Sequence, residues 1–280
     1  MAEEEPVFET TTGPPRIITA ASLFDGHDAA INVMRRLIQS AGAEVIHLGH
    51  DQSAKAVVDC AIQEDAHGVA LTSYQGGHVE YFTYIRQLLD EAGCKHIRIF
   101  GGGGGTITPP EIKTLHESGI SKIYSPDDGR TMGLMGMIHH LMGIASEVDL
   151  IHPDRIASLS GPVTPEDTAK VGLLLTMSES ADDKTFKSTL EKCRSSEKEV
   201  SVIGFTGTGG AGKSSLLDEL MLRILRDNPG KKVCLLCVDP TRKRTGGALL
   251  GDRIRMNSLS NNDLYMRSLA SRGSGSEIST

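Results

Sequence analysis

Residues 16–40 read RIITAASLFDGHDAAINVMRRLIQS. Arg16–Ala20 is a short apolar run with β-branched residues, which predicts a strand. Asp28–Ser40 places apolar residues at helical spacing and is followed by Gly42, which predicts a helix and its stop. Between them lies Asp25-Gly26-His27, a loop carrying a carboxylate and an imidazole. The same alternation continues downstream. Strands are expected at Glu44–Leu48, Gly68–Thr72, His96–Phe100 and Ser121–Tyr124. Helices are expected at Ser53–Asp65 with Ser53 as cap, Val79–Glu91 before Gly93, Pro109–Glu117, and the Met-rich Gly129–Gly143. Five β–α units imply a parallel sheet with helices on both faces, in the flavodoxin-like arrangement. Ligands of such folds bind beyond the carboxyl ends of the strands.

The chain of 280 residues has room for two ordinary domains, and 39% hydrophobic residues can fill their cores. A net charge of −7 argues against sequence-independent nucleic-acid binding. No apolar run approaches the ~18 residues of a membrane span. The start, MAEEEPVFETTTGPP, is acidic and polar; residues 1–14 read as a solvated tail, with no leader signature. Five scattered cysteines fit a reducing, cytoplasmic setting. Cys234 and Cys237 sit in an apolar run and face opposite sides of a strand, so packing is the expected role. Glycine is in excess, 31 of 280 against a usual ~7%, and concentrates at Gly101–Gly105 and Gly204–Gly212. Glycine clusters beside ordered elements let a backbone approach something closely.

Residues 15–145 therefore form the first domain, and 146–198 a partly helical linker. Within the linker Thr164–Ser195 reads as helical, with Thr164 as cap and either one helix or two. A second α/β unit occupies residues 199–280, with a strand over VSVIGFTG, a helix at Lys213–Arg226 and a strand at Lys231–Val238. After Leu250 the sequence turns polar, and its close, SRGSGSEIST, reads as a break within that domain.

Asp25 and His27 follow the first strand, Ser73 the third, and Gly102 and Gly103 the fourth, all on one sheet edge. A loop imidazole can ligate a transition metal through one ring nitrogen while a nearby carboxylate holds the other. The order and intervals resemble the cobalamin-binding domain of the mutase and methionine synthase type, with its D-x-H-x-x-G, S-x-L and G-G motifs. Residues 31–72 and 76–101 are the intervals here, with Ala30 and Gln75 departing from the pattern. The resemblance implies that His27 is the lower axial cobalt ligand and that Asp25 orients it. It also implies that Ser73 meets the displaced nucleotide base and that Gly102 and Gly103 line its tunnel. His47, His50, His67, His78 and His96 are expected to be structural, with His78 able to face the corrin.

Gly207-Thr208-Gly209-Gly210-Ala211-Gly212-Lys213-Ser214 matches G-x-x-x-x-G-K-[ST] between a predicted strand and a predicted helix. The loop N–H groups and helix N-terminus cradle phosphates, Lys213 reaches the outer ones, and Ser214 binds Mg²⁺; Ser215 follows as a further nucleotide contact. The strand-end Asp239-Pro240 and the segment TGGALLGDRIRM resemble the G-protein chaperones of cobalamin mutases. That resemblance implies Asp239 and Asp252 near Mg²⁺ and Arg255 near the nucleotide, with GTP/GDP as ligand. No N-K-x-D motif follows residue 215, so guanine rests on the resemblance.

The order of the two halves resembles the fused isobutyryl-CoA mutases, of the adenosylcobalamin-dependent methylmalonyl-CoA mutase family. It implies adenosylcobalamin, an acyl-CoA-binding barrel as missing partner, a homodimer, carbon-skeleton isomerisation of isobutyryl-CoA to n-butyryl-CoA, and GTP-gated cofactor loading. The catalytic residues would then lie outside these 280 residues. A non-catalytic cobalamin carrier or sensor with a regulatory P-loop half is the alternative reading, and an ATPase unrelated to cobalamin is a third.

Overall fold

The computed structural model describes residues 6–194, 200–239 and 247–272. Residues 1–5, the expected boundary at 198/199, Pro240 with the basic run after it, and 273–280 lie outside the described residues. The first domain alternates β1 (Arg16–Ser22), α1 (Asp28–Ser40), β2 (Glu44–Gln52), α2 (Ala54–Gln63), β3 (Gly68–Thr72), α3 (His78–Glu91), β4 (Arg98–Gly102), α4 (Pro109–Glu117), β5 (Lys122–Tyr124) and α5 (Pro126–Ser146). All pairings are parallel, and the strands run β5-β4-β3-β1-β2. This is the flavodoxin-like order, with its switch point between β1 and β3.

Alternation along each strand divides the core. Ile17, Val45, Ala70 and Phe100 face α1 and α5, where they meet Ile38, Ile138 and Met142. Ile18, Ile46, Val69 and Ile99 face α2, α3 and α4, where they meet Val57, Phe82, Ile85 and Leu115. Local chemistry sets the helix starts. Ser53 accepts from Ala56 N, and Thr108 and Ser125 each form a capping box before a proline. α5 is longer than expected and breaks at Gly133, whose φ is 67°. β4 runs two residues into the glycines.

The linker carries α6 (Pro153–Ala157), α7 (Thr168–Ser180) and α8 (Asp183–Cys193), so of the two readings of the stretch from Thr164 the two-helix one holds. Thr164 does not cap α7. Its N–H and hydroxyl donate to Asp167 instead, and the helix starts four residues later. The second half has α9 (Lys213–Asp227) against β6 (Val233–Asp239) and β8 (Leu264–Ala270), which pair in parallel. Its core joins Met221, Leu225, Leu235, Cys237, Leu264 and Met266.

Three expectations are corrected. The expected strand VSVIGFTG, residues 200–207, does not form: it pairs with no strand among the described residues, and Val202, Ile203 and Phe205 are exposed. A strand needs an adjacent ladder, and neither sheet among the described residues includes this segment. The N-terminal tail is docked from Thr10 onward, with Thr12 buried against His67. Most consequential, two strands lie beyond Val238 where none was expected, and one of them, β8, falls in the stretch after Leu250 that reads as polar. Ala248–Leu250 forms β7, which pairs in parallel with Glu44–Ile46 and becomes the sixth strand of the first sheet.

Buried ion pairs weld the pieces. Arg16 meets Glu44 and Glu179 at 3.3 Å each, Arg267 meets Glu179 at 2.7 Å, and Arg253 meets Glu64 at 3.3 Å. Removing one member of such a pair costs more than the pair contributes, because a charge is left buried alone.

Candidate functional site

Ser22 ends β1 and the chain turns through Leu23, Phe24 and Asp25 before α1. The Asp25 side chain is fully buried, and that of His27 is 70% exposed. Oδ1 of Asp25 accepts from His27 N at 2.9 Å and pairs with His27 Nδ1 at 2.8 Å; Oδ2 accepts from Tyr74 N at 2.7 Å. Burial by itself would raise the pKa of Asp25. The N–H groups of Tyr74 and His27 and the His27 ring outweigh it and hold the carboxyl below its usual value. An ionised Asp25 can only accept, so Nδ1–H donates to it and Nε2 presents its lone pair outward. Nε2 has no hydrogen-bond partner among the described residues. The ring leans on Tyr74, centroids 5.4 Å apart.

Behind this loop, an apolar cavity of about 590 Å³ opens between the sheet and helices α1 and α5. Ala29 and Ala30 form part of one wall, the Gly101–Gly104 backbone another, and Leu134, Met137 and Ile138 close the far side. The glycines are required sterically. A Cβ on Gly103 would sit 1.9 Å from the Ser73 carbonyl oxygen, and one on Gly101 would sit 2.4 Å from the Phe82 ring. Gly102 likewise lines the cavity.

Thr72 lines this cavity, and its buried hydroxyl has no partner. Ser73 is placed differently. It accepts from the Ser22 hydroxyl at 3.0 Å and borders a separate cavity of about 370 Å³ with Leu23 and Tyr81. Sequence reasoning missed Thr72. Strand alternation contained the signal, since Thr72 and Ala70 share the face toward α1. The departure at Gln75 also gains a reason: its amide donates to Leu23 O and ties the two loops together. His78 does not face the cavity. It is buried between Gln75 O and Glu111. His47, His67 and His96 pair with Thr19, Arg16 N and Asp65 respectively.

The site suits a large ligand with an apolar, partly aromatic tail: one open imidazole nitrogen on the loop before Ala29, a cavity walled by glycine backbone, and one unsatisfied hydroxyl inside. These residues fit a cobalamin with its nucleotide tail inserted.

In the second half, Gly210 and Gly212 of the P-loop adopt left-handed φ of 78° and 83°, which a side chain would strain. Ala211 N donates to Thr208 O, closing a turn that contains Gly209. Lys213 folds over the loop and donates to Gly207 O at 2.6 Å and Thr208 O at 3.0 Å. Ser214 Oγ donates to Asp252 Oδ1 at 2.9 Å, while Asp239 Oδ2 accepts from Gly251 N at 3.2 Å. Burial, and then the Asp252 charge, push Asp239 up to about 6. A hydroxyl with two mutually repelling carboxylates is a donor set for a hard divalent cation. Ser215 starts the exposed side of α9, and Arg255 is exposed on the turn after Asp252.

Residues 15–123 match the B12 binding domain family, and residues 171–280 match the methylmalonyl Co-A mutase-associated GTPase MeaB family. The fused isobutyryl-CoA mutase of Geobacillus kaustophilus is 51% identical over 271 residues, covering 94% of this chain and 25% of that protein. That of Nocardia farcinica is 51% identical over 263 residues, covering 93% and 24%. The 2-hydroxyisobutanoyl-CoA mutase small subunit of Aquincola tertiaricarbonis is 34% identical over 115 residues, 41% of this chain and 82% of that one. The chain thus spans about a quarter of the length of the fused relatives.

Proposed function

Because the chain belongs to the fused isobutyryl-CoA mutase family, with a B12-binding domain followed by a MeaB-type GTPase domain, we propose that it binds adenosylcobalamin base-off. His27 Nε2 is the ligand to cobalt. Asp25 fixes the ring, and Gly102 and Gly103 admit the tail. Thr72 donates to a polar atom of that tail inside the cavity, and Ser73 supports the floor through Ser22. The observation that carries this reading is the His27 ring, anchored by buried Asp25 and leaning on Tyr74, a residue that lines the glycine-walled cavity together with Ala29 and Ala30 just beyond His27. When bound, the cofactor supplies a homolysable cobalt–carbon bond that initiates carbon-skeleton rearrangement.

The second half binds GTP or GDP through Gly207–Ser215, with Lys213 and Arg255 toward the phosphates. Ser214, Asp239 and Asp252 hold Mg²⁺. Residues 15–145, 146–198 and 199–280 serve as cobalamin domain, linker and nucleotide domain. Isomerisation of isobutyryl-CoA to n-butyryl-CoA, with nucleotide gating of cofactor loading, requires an acyl-CoA-binding mutase domain as partner. We place this assembly in the cytoplasm as a homodimer.

The test is electron paramagnetic resonance of the cob(II)alamin complex with ¹⁵N-labelled histidine. A single histidine coupling is expected, and it disappears in His27→Ala. Its survival in that variant overturns the assignment.

A further inference from the structure

Residues 247–254 touch both halves. On one side, Gly251 N donates to Asp239, and Asp252 accepts from the P-loop residue Ser214. On the other, Ala248–Leu250 form the edge strand beside β2. Gly247 is pressed so closely on α1 that an added Cβ would sit 2.2 Å from Gln39 O. Arg253, next to Asp252, turns the opposite way. It reaches buried Glu64 at 3.3 Å, Gln63 Oε1 at 2.7 Å and Met266 O at 2.8 Å. Ile254 packs on Gly49, whose φ is 87° and whose Cβ, if present, would lie 3.0 Å from Ile254 Cδ1.

From Gly49 the contacts continue to the cobalamin loop. Gly49 lies in β2 opposite Ala20, at a register shift between β1 and β2. Two residues on, Asp51 Oδ1 accepts from Phe24 N at 2.6 Å. Both Asp51 and Phe24 hold left-handed φ, 56° and 63°, which aspartate tolerates but a bulky aromatic adopts only when neighbours enforce it. Phe24 immediately precedes Asp25, which anchors His27.

We propose that residues 247–254 are a strap that couples the two ligand sites, so that Mg²⁺-nucleotide at Ser214 and cobalamin at His27 bind with positive cooperativity. This rests on the ligand assignments above. A cation between Ser214, Asp239 and Asp252 removes the repulsion of the two carboxylates and pins the strap. The pinned strap holds Gly49 and Asp51, and through them the strained Phe24–His27 turn. The second ligand then finds part of its ordering cost already met. Linkage requires the effect to be reciprocal.

The test uses this chain with adenosylcobalamin and with Mg²⁺ plus a non-hydrolysable GTP analogue, each titrated alone and in the presence of the other. Each ligand should tighten the other by the same factor, about fivefold or more. The factor should fall to one in Gly247→Val, which lifts β7 off the sheet. It should also fall to one in the double variant Arg253→Met/Glu64→Gln, which removes the buried pair without orphaning a charge. Affinities for each ligand alone should persist. Hydrogen exchange on the unaltered chain reads the strap without any substitution: nucleotide should slow the amides of residues 248–250 and 24–27. Independent affinities, a factor undiminished in a folded variant, or exchange unaffected by nucleotide each refute the strap while leaving both sites standing. Failure to bind either ligand refutes the assignments beneath it as well.

Discussion

Replacing Asp25 by asparagine tests the arrangement around His27 most directly. The carboxylate receives three hydrogen bonds in a buried position: two on Oδ1, from His27 N and Nδ1, and one on Oδ2, from Tyr74 N. An amide of the same shape has only one oxygen. The less costly orientation keeps that oxygen on His27 and turns the NH₂ toward the Tyr74 N–H, donor against donor. One buried backbone N–H is then unsatisfied, a cost of about 1–3 kcal/mol. The opposite orientation orphans two donors.

A second effect is separable. The Nδ1–H loses a charged acceptor, so the ring is held less firmly and Nε2 becomes a weaker metal ligand. Loss of such an outer partner typically lowers metal affinity about 10–100-fold. Urea unfolding at pH 7 reads the first effect, and adenosylcobalamin titration by visible absorbance reads the second. The pH dependence follows from the lowered pKa of Asp25. Its contribution is fully present above the unfolded value of about 3.9 and is lost as pH falls through the lower folded value. The stability gap between Asp25→Asn and the parent should therefore close in strong acid. Unaltered stability and unaltered affinity in Asp25→Asn would refute the reasoning.

Two further outcomes are expected. Thr72→Val removes a hydroxyl that has no partner among the described residues, so folding stability should hold while adenosylcobalamin affinity drops about three- to tenfold, one net hydrogen bond; calorimetric titration giving equal affinities would count against a ligand contact. Asp239, raised to about 6, binds its proton more tightly folded than unfolded, so its contribution to stability is present below about 4 and lost as pH rises through about 6. Mg²⁺-nucleotide binding needs it ionised and should be about tenfold weaker at pH 5 than at pH 7; a flat profile in isothermal titration would remove Asp239 from the cation site.

The first domain was legible because each of its signals is local. Helix starts depend on Ser53, Thr108 and Ser125 within a turn of their own helices. Strand β1 announces its burial on both faces through a run that carries no charge between Arg16 and Asp25. The loop chemistry of Asp25 and His27 is also local, two residues apart. What the sequence hid is non-local. Which of Thr72 and Ser73 enters the cavity depends on where α1 and α5 pack. The apolar run before the P-loop has strand composition, yet strand formation needs a partner, and residues 200–207 have none among the described residues. Ala248–Leu250 is too short to stand out by periodicity, and becomes a strand because β2 offers an open ladder.

That pairing has a consequence for how the chain is made. Synthesis delivers β2 about 200 residues before β7, so at ~5–20 residues per second the outer edge of β2 is bare for roughly ten seconds or longer. A bare parallel edge is a template for pairing with neighbouring chains. Glu44, which opens β2, is a charge set on that edge, and its eventual partner Arg272 arrives later still. A ribosome pausing inside the nucleotide domain would prolong the interval in which nascent chains can aggregate through this strand.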